Sequence, residues 1–263
     1  MATLELEARL DNLIATAQTE TASIDIYAPI TEREECPICL IPHPINDNET
    51  RFMPCCGKKI CSGCVYKNVI TQVKKGISPQ KAHDDYKCAF CRQKFMDEIK
   101  ALKKLMKKNN PEAFTLMAFK YQSGDRVFQS DTKALQMYIR AAELGDASAY
   151  GLIGTYYQEG ILVEQNKSKA IEFYEVAAKK GAHLLAHRSL ARFHGSNGDA
   201  RKSIEHLKVV ASAGNKKSMD DLMKAYKNKL LSKEDLSKTL RAYQTSSNET
   251  RSKDRDDARL MDV

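Results

Sequence analysis

All eight cysteines of this chain lie between residues 36 and 91, and they come in four pairs. Cys36 and Cys39, Cys61 and Cys64, and Cys88 and Cys91 each have the C-x-x-C spacing at which two thiolates close on one tetrahedral ion, while Cys55 and Cys56 are adjacent. So short a segment holds few large apolar residues and cannot build a sufficient core by itself. Bound metal is expected to supply the folding free energy, ~10–16 kcal/mol for a structural zinc site in peptides. Disulfides would serve instead in a secreted domain. The N-terminus, however, shows no basic start followed by an apolar run, so no signal peptide is expected and a reducing, intracellular compartment (cytoplasmic or nuclear) is. No stretch approaches the ~18 apolar residues of a membrane span.

At 263 residues the chain has room for about two domains. Residues 1–33 read as an N-terminal helix and linker. Leu6, Leu10, Leu13, Ile14 and Ala17 recur at three- and four-residue steps, giving an amphipathic helix that either packs back on the body or pairs with another chain. The zinc module occupies 34–95. Within it Val65, Val69, Ile70 and Val73 fall at helical spacing, and Gly76 and Pro79 break the following loop. Residues 96–110 form a connecting helix with Ile99, Leu102, Leu105 and Met106 on one side. Its other side carries Lys100, Lys103, Lys104, Lys107 and Lys108, much of the net charge of +8. Such a run reads as a solvated face or as an attraction for an acidic partner.

Residues 111–245 repeat. Leu116 to Gly124 matches Leu152 to Gly160, and Lys133 to Gly145 matches Lys169 to Gly181, both at an offset of 36 residues. A third unit carries Leu190 to His194 and Ser203 to Gly214, and a fourth, weaker one Leu222 to Tyr226 and Leu236 to Tyr243. A fixed period of this size means stacked helix pairs. Pro111 and Ser232 suit helix starts, and Gly145, Gly181 and Gly214 suit the left-handed position that ends a helix. Tyr121, Tyr138, Tyr156, Phe173, Tyr174 and Phe193 sit at helical spacing and read as core. His183 and His187 stand four apart without the glutamate of H-E-x-x-H, and read as surface or packed core rather than as a metal site. The charged tail, 246–263, reads as a solvated helix or as disorder.

The order pair, adjacent pair, pair, pair resembles the RING finger family in its all-cysteine form, and the array resembles the Sel-like repeats, relatives of tetratricopeptide repeats. Together they imply a small zinc-stabilised α+β module followed by an all-α solenoid. The first resemblance implies interleaved ligation of two structural Zn2+ ions: Cys36, Cys39, Cys61 and Cys64 on one, and Cys55, Cys56, Cys88 and Cys91 on the other. The chain departs from the family by having no residue between its third and fourth ligands. It also has Lys58 where a histidine would ligate, which makes Cys55 the extra ligand and leaves His43 and His83 in reserve. Four thiolates saturate each ion and leave no position for a metal-bound water, and no nucleophile stands beside a base. No catalytic residue is therefore assigned, and the arrangement argues against hydrolase or deaminase chemistry.

The resemblance implies a ubiquitin ligase acting by positioning: it binds a ubiquitin-conjugating enzyme and holds the thioester-linked ubiquitin in a reactive pose. Ile38, inside the first C-x-x-C, falls where the family docks the conjugating enzyme. Arg92, just after the last ligand, falls where a basic residue contacts both proteins. Ala89 replaces a common proline, and the chain has no tryptophan. The repeats would recruit a protein substrate. A zinc-bearing protein-interaction scaffold without transfer activity is the alternative. Nucleic acid is not the expected partner, for no C2H2-spaced recognition helix is present.

Overall fold

The computed structural model describes residues 2–30, 33–45, 49–78, 87–93, 97–181 and 183–260. The chain opens with α1 (Ala2–Glu20), and the cysteine-rich region contributes a hairpin, β1 (Thr50–Met53) and β2 (Lys58–Cys61), followed by α2 (Ser62–Lys74). A connecting helix, α3 (Glu98–Met106), leads into helix pairs: α4 (Pro111–Ser123) with α5 (Asp131–Glu143), α6 (Ala147–Glu159) with α7 (Lys167–Lys180), α8 (His183–Ser196) with α9 (Ala200–Ser212), and α10 (Lys216–Lys227) with α11 (Lys233–Glu249). A last helix, α12 (Lys253–Leu260), ends the described chain. Each pair packs internally and against the next, which is a solenoid. No helix among the described residues is long and apolar enough to cross a membrane.

The 36-residue offset is a repeat of contacts as well as of letters. Tyr138 donates its hydroxyl to Gln122 Oε1 at 3.2 Å, and Tyr174 does the same to Gln158 Oε1 at 3.2 Å. Gln129 donates to the Gln122 carbonyl and Gln165 to the Gln158 carbonyl. A buried tyrosine thus fills the core of each unit while its polar end is satisfied by the preceding helix. Tyr138, Tyr156, Phe173 and Tyr174 are buried, as their spacing predicts, and Tyr121 and Phe193 are half-buried. Side-chain caps start the helices: Asn110, Ser130, Asp146, Asn166, Asp199, Asn215 and Ser232 each accept from a backbone N–H in the first turn. Gly145, Gly181 and Gly214 have φ of 93°, 112° and 99°, the left-handed region in which a side chain is strained.

Of the two readings of α1, the structure takes the first. It lies across α5 and α7 and buries Leu10, Leu13, Ile14 and Ala17 in the core of the first two units. Ion pairs pin its rim: Arg9 to Glu143, Asp11 to Lys169 and Glu20 to Lys180, each at 2.6 Å. The five lysines on α3 and the turn after it are exposed, while Leu102 and Leu105 are buried with Ala113 and Met117 of α4.

Between α8 and α9 sits a histidine cluster. His187 is buried with Nδ1 3.1 Å from His206 Nδ1, and His194 stacks on His206. The side chain of His183 lies outside the described residues. Tyr27 closes over His206 from the segment after α1, with Glu175, Glu205 and Lys202 nearby. Burial, with His194 and Lys202 adding to it, pushes His206 down to about 4. An unfolded histidine titrates near 6.5, so the unfolded chain binds a proton there that the folded chain refuses. Stability from this site is complete above pH ~6.5 and declines as the pH falls toward 4. Urea unfolding at pH 7 and pH 4.5 should show wild type losing roughly 2–3 kcal/mol more than His206→Gln between the two. Equal losses would contradict it.

Candidate metal centre

The cysteines are placed by three backbone devices. Two are knuckles of the same design. Cys36 N–H donates to the Ile41 carbonyl and Leu40 N–H to the Cys36 carbonyl; in the last pair, Cys88 N–H donates to Gln93 and Arg92 N–H to Cys88. Leu40 and Arg92 hold equivalent places, each at positive φ, 57° and 62°. The third device is the hairpin, paired from Thr50↔Cys61 to Met53↔Lys58. Its turn carries Cys55 and Cys56, where Cys56 and Gly57 both donate N–H to the Met53 carbonyl. Adjacent residues in a strand point to opposite faces, but in a tight turn both can reach one point. That is how the chain does without a residue between its third and fourth cysteines.

The eight sulfurs gather into two clusters, Cys36 with Cys39, Cys61 and Cys64, and Cys55 with Cys56, Cys88 and Cys91, each with all its sulfurs within 4.8 Å of one another. Cys36 and Cys64 stand 3.8 Å apart, Cys39 and Cys61 3.7 Å, Cys56 and Cys88 3.9 Å, and Cys55 and Cys91 3.4 Å. A tetrahedral ion with Zn–S bonds of about 2.3 Å requires sulfurs roughly 3.8 Å apart. The donor set and its spacing fit two tetrathiolate ions.

The crowding also shows in the acidities. Hydrogen bonds from Cys61 and Cys64 hold Cys36 well below the ordinary thiol range, and the reciprocal bonds push Cys64 well above it. Burial pushes Cys55 above the range and Cys56 up to about 11. Four thiolates brought this close would repel one another, and a bound cation would offset that repulsion.

His43, a reserve ligand in the sequence reading, is buried but belongs to neither cluster. His83, the other, lies outside the described residues. On the ligand assignment, Cys55→Ser should cut metal content from two ions to one per chain while His43→Ala leaves two. Atomic absorption on the purified variants checks this, and a Cys55→Ser protein that keeps two ions would overturn it.

Around the clusters the module keeps apolar surface exposed. Ile38 is 41% exposed, Leu40 69% and Phe90 43%. Arg92 is exposed, and its Nη1 donates to Asn68 Oδ1 at 3.2 Å, while Asn68 Nδ2 donates to the Lys87 carbonyl at 2.9 Å. Leu40, Phe90 and Asn68 were not singled out by the sequence. The first two could have been, as large apolar residues inside or beside ligand loops. The module meets the repeats through Phe52, which packs with Leu102, Leu105 and Met117, and through Lys59, 3.4 Å from Glu112 at the start of α4. Burial pushes Glu112 up to about 7 against the pull of Lys59; burial opposes the lysine's charge too, but Glu112 and Glu34 raise it above its ordinary value.

The tail departs from its sequence reading. Helix α11 runs through residue 246 to Glu249, and α12 is docked on α2 rather than solvated. Its Arg255 is 0% exposed. Charges of both signs made the segment look soluble, and the one inserted arginine had no pattern to mark it.

Two of the helix pairs match a known repeat model. Residues 111–146 and 147–181 each match the family model of the Sel1 repeat. These two segments, 111–146 and 147–181, are similar to Sel1 repeats. Both lie outside 34–95, and the pairs α8–α9 and α10–α11 continue the stack of helices beyond the matched residues. Among solved structures, a Sel1 repeat protein from Oxalobacter formigenes is 29% identical over 57% of this chain and 63% of its own, with a TM-score of 0.48. The protein c5321, a protective antigen present in uropathogenic Escherichia coli strains displaying an SLR fold, is 19% identical over 70% of this chain and 40% of its own, with a TM-score of 0.49. This chain thus spans less than two thirds of the length of either. No curated protein matches it.

Proposed function

We propose that residues 34–95 form a RING-type module holding two structural zinc ions, and that the chain is a ubiquitin ligase whose Sel1-type array recruits the substrate. The observation that carries this reading is the interleaving: ligand pairs one and three share a cluster, as do pairs two and four. Zinc supplies the folding free energy that so small a core lacks. Ile38, Leu40 and Phe90 offer the conjugating enzyme apolar surface that has no burial within this chain. Arg92, braced on Asn68, bridges that enzyme and its ubiquitin through its remaining guanidinium donors. The module contributes position and orientation, and no covalent step of its own.

The substrate surface is assigned to the first helices of the pairs, where Phe119 on α4, Leu185 on α8, and Met223 and Tyr226 on α10 are exposed. Stacked helix pairs offer an extended surface on which such side chains could meet a partner. The test is single-turnover discharge of ubiquitin from a panel of charged conjugating enzymes. The full-length, zinc-loaded chain should accelerate discharge from at least one. A protein with two zincs that accelerates none would leave the other reading, an interaction scaffold without transfer activity.

A further inference from the structure

Arg255 is fully buried at the first turns of α12, against the knuckle of the first cysteine cluster. Its Nη1 donates to the Pro42 carbonyl at 2.8 Å and to the Thr250 carbonyl at 2.7 Å. Its Nη2 donates to the Ile41 carbonyl at 3.1 Å and lies 3.8 Å from Cys39 Sγ. The Ile41 carbonyl also receives Cys36 N–H, the bond that closes the knuckle. One guanidinium therefore ties a cluster sulfur, the carbonyl that shapes its loop, and the end of α11.

Two further features show that α12 is built to sit here. A Cβ on Gly63, in the first turn of α2, would lie 2.7 Å from Arg255 N, closer than any side chain tolerates, so only glycine lets the two helices approach. Ion pairs hold the flanks, Lys67 to Asp254 at 2.9 Å and Arg259 to Glu49 at 2.6 Å. The charge balance favours the arrangement as well. Four thiolates on a divalent ion carry a net charge of about −2, and a buried cation beside them offsets part of it. Without the anionic cluster, burying that guanidinium would carry an uncompensated desolvation cost.

We propose that Arg255 is a positioning residue of the Cys36–Cys39–Cys61–Cys64 site and that α12 is a latch, docked while that site holds its metal and released when the metal leaves. The inference rests on the reading that the clusters bind zinc. Metal occupancy at one end of the chain then sets the position of the segment that follows the last helix pair of the array. Arginine–thiolate contact outside the ligand shell stabilises the bound ion, and loss of such partners elsewhere costs about 10–100-fold in metal affinity.

The experiment follows zinc release from the full-length, zinc-loaded protein to a chromogenic chelator, with hydrogen exchange of 253–260 read in parallel. In Arg255→Met one of the two zincs should leave about 10–100-fold faster and the other at the wild-type rate. Protection of 253–260 should be lost. Arg255→Lys should restore part of the difference. Gly63→Ala keeps every cysteine and Arg255 but pushes α12 away, and should reproduce Arg255→Met. Wild-type release of both zincs from Arg255→Met and Gly63→Ala overturns the latch alone. Absence of zinc from the wild-type protein overturns the latch together with the zinc reading.

Discussion

Cys61→Ser is expected to unfold the cysteine module and leave the solenoid standing. Cys61 ends β2, forms the N-cap position of α2, and brings its sulfur within 3.7 Å of Cys39. Removing it takes one of four ligands from the first cluster, and with it much of a metal-binding free energy of ~10–16 kcal/mol. The buried apolar set of the module is small, chiefly Met53, Ile60 and Val65 beside the cysteines. Nothing there offsets a loss of that size. The helix pairs rest on a separate core built from Tyr138, Tyr156, Phe173, Tyr174 and the α1 leucines, which touches no cysteine. Far-UV circular dichroism should therefore stay largely helical. Zinc content should fall to one ion or none, and the amides of 50–74 should lose protection from exchange. Retention of two zincs, or collapse of the whole helical signal, would contradict the separation of the two cores.

The second large effect concerns transfer. Ile38→Ala and Arg92→Ala should each keep two zincs and full helicity, yet slow ubiquitin discharge. Ile38 stands out from its loop, 41% exposed, so truncation empties no core. Losing a central apolar anchor from an interface costs about 2 kcal/mol, roughly a 30-fold weaker grip on the conjugating enzyme. On the proposed ligase reading Arg92 would act on the closed assembly instead, and its loss should lower the maximal discharge rate more than it weakens docking. Titrating the conjugating enzyme at saturating charge separates the two: Ile38→Ala shifts the half-saturation point, Arg92→Ala the plateau. Two variants with wild-type curves would remove both residues from the transfer surface.

How far the sequence could be read follows from which forces leave a local trace. Two thiols at C-x-x-C spacing can close on one ion, so each pair was legible from spacing, while which pairs share an ion was only what the family resemblance implied. The adjacent Cys55 and Cys56 looked irregular because a spacing rule says nothing of the turn between β1 and β2 that carries them. The helix pairs were legible because each unit repeats the same contact, Tyr138 to Gln122 and then Tyr174 to Gln158, and a repeated contact demands repeated letters. The seat of α1 was not legible: a stripe of Leu10, Leu13, Ile14 and Ala17 shows that a helix has an apolar partner and does not name it. Least visible was α12. Its hold on the module comes from a single arginine among charges of both signs and from the missing side chain of Gly63 inside a ligand pair. Neither has a periodicity, and both act across nearly the whole length of the chain.

The proposed function depends on two interleaved tetrathiolate zinc sites that build the cysteine module. Native mass spectrometry of the full-length chain, expressed and purified without added metal or chelator, tests it most directly. One dominant species carrying two zinc ions with all eight cysteines reduced is expected, converting to the metal-free mass in acid. A dominant species with one zinc or none, or one whose mass shows cysteines paired as disulfides, would contradict it.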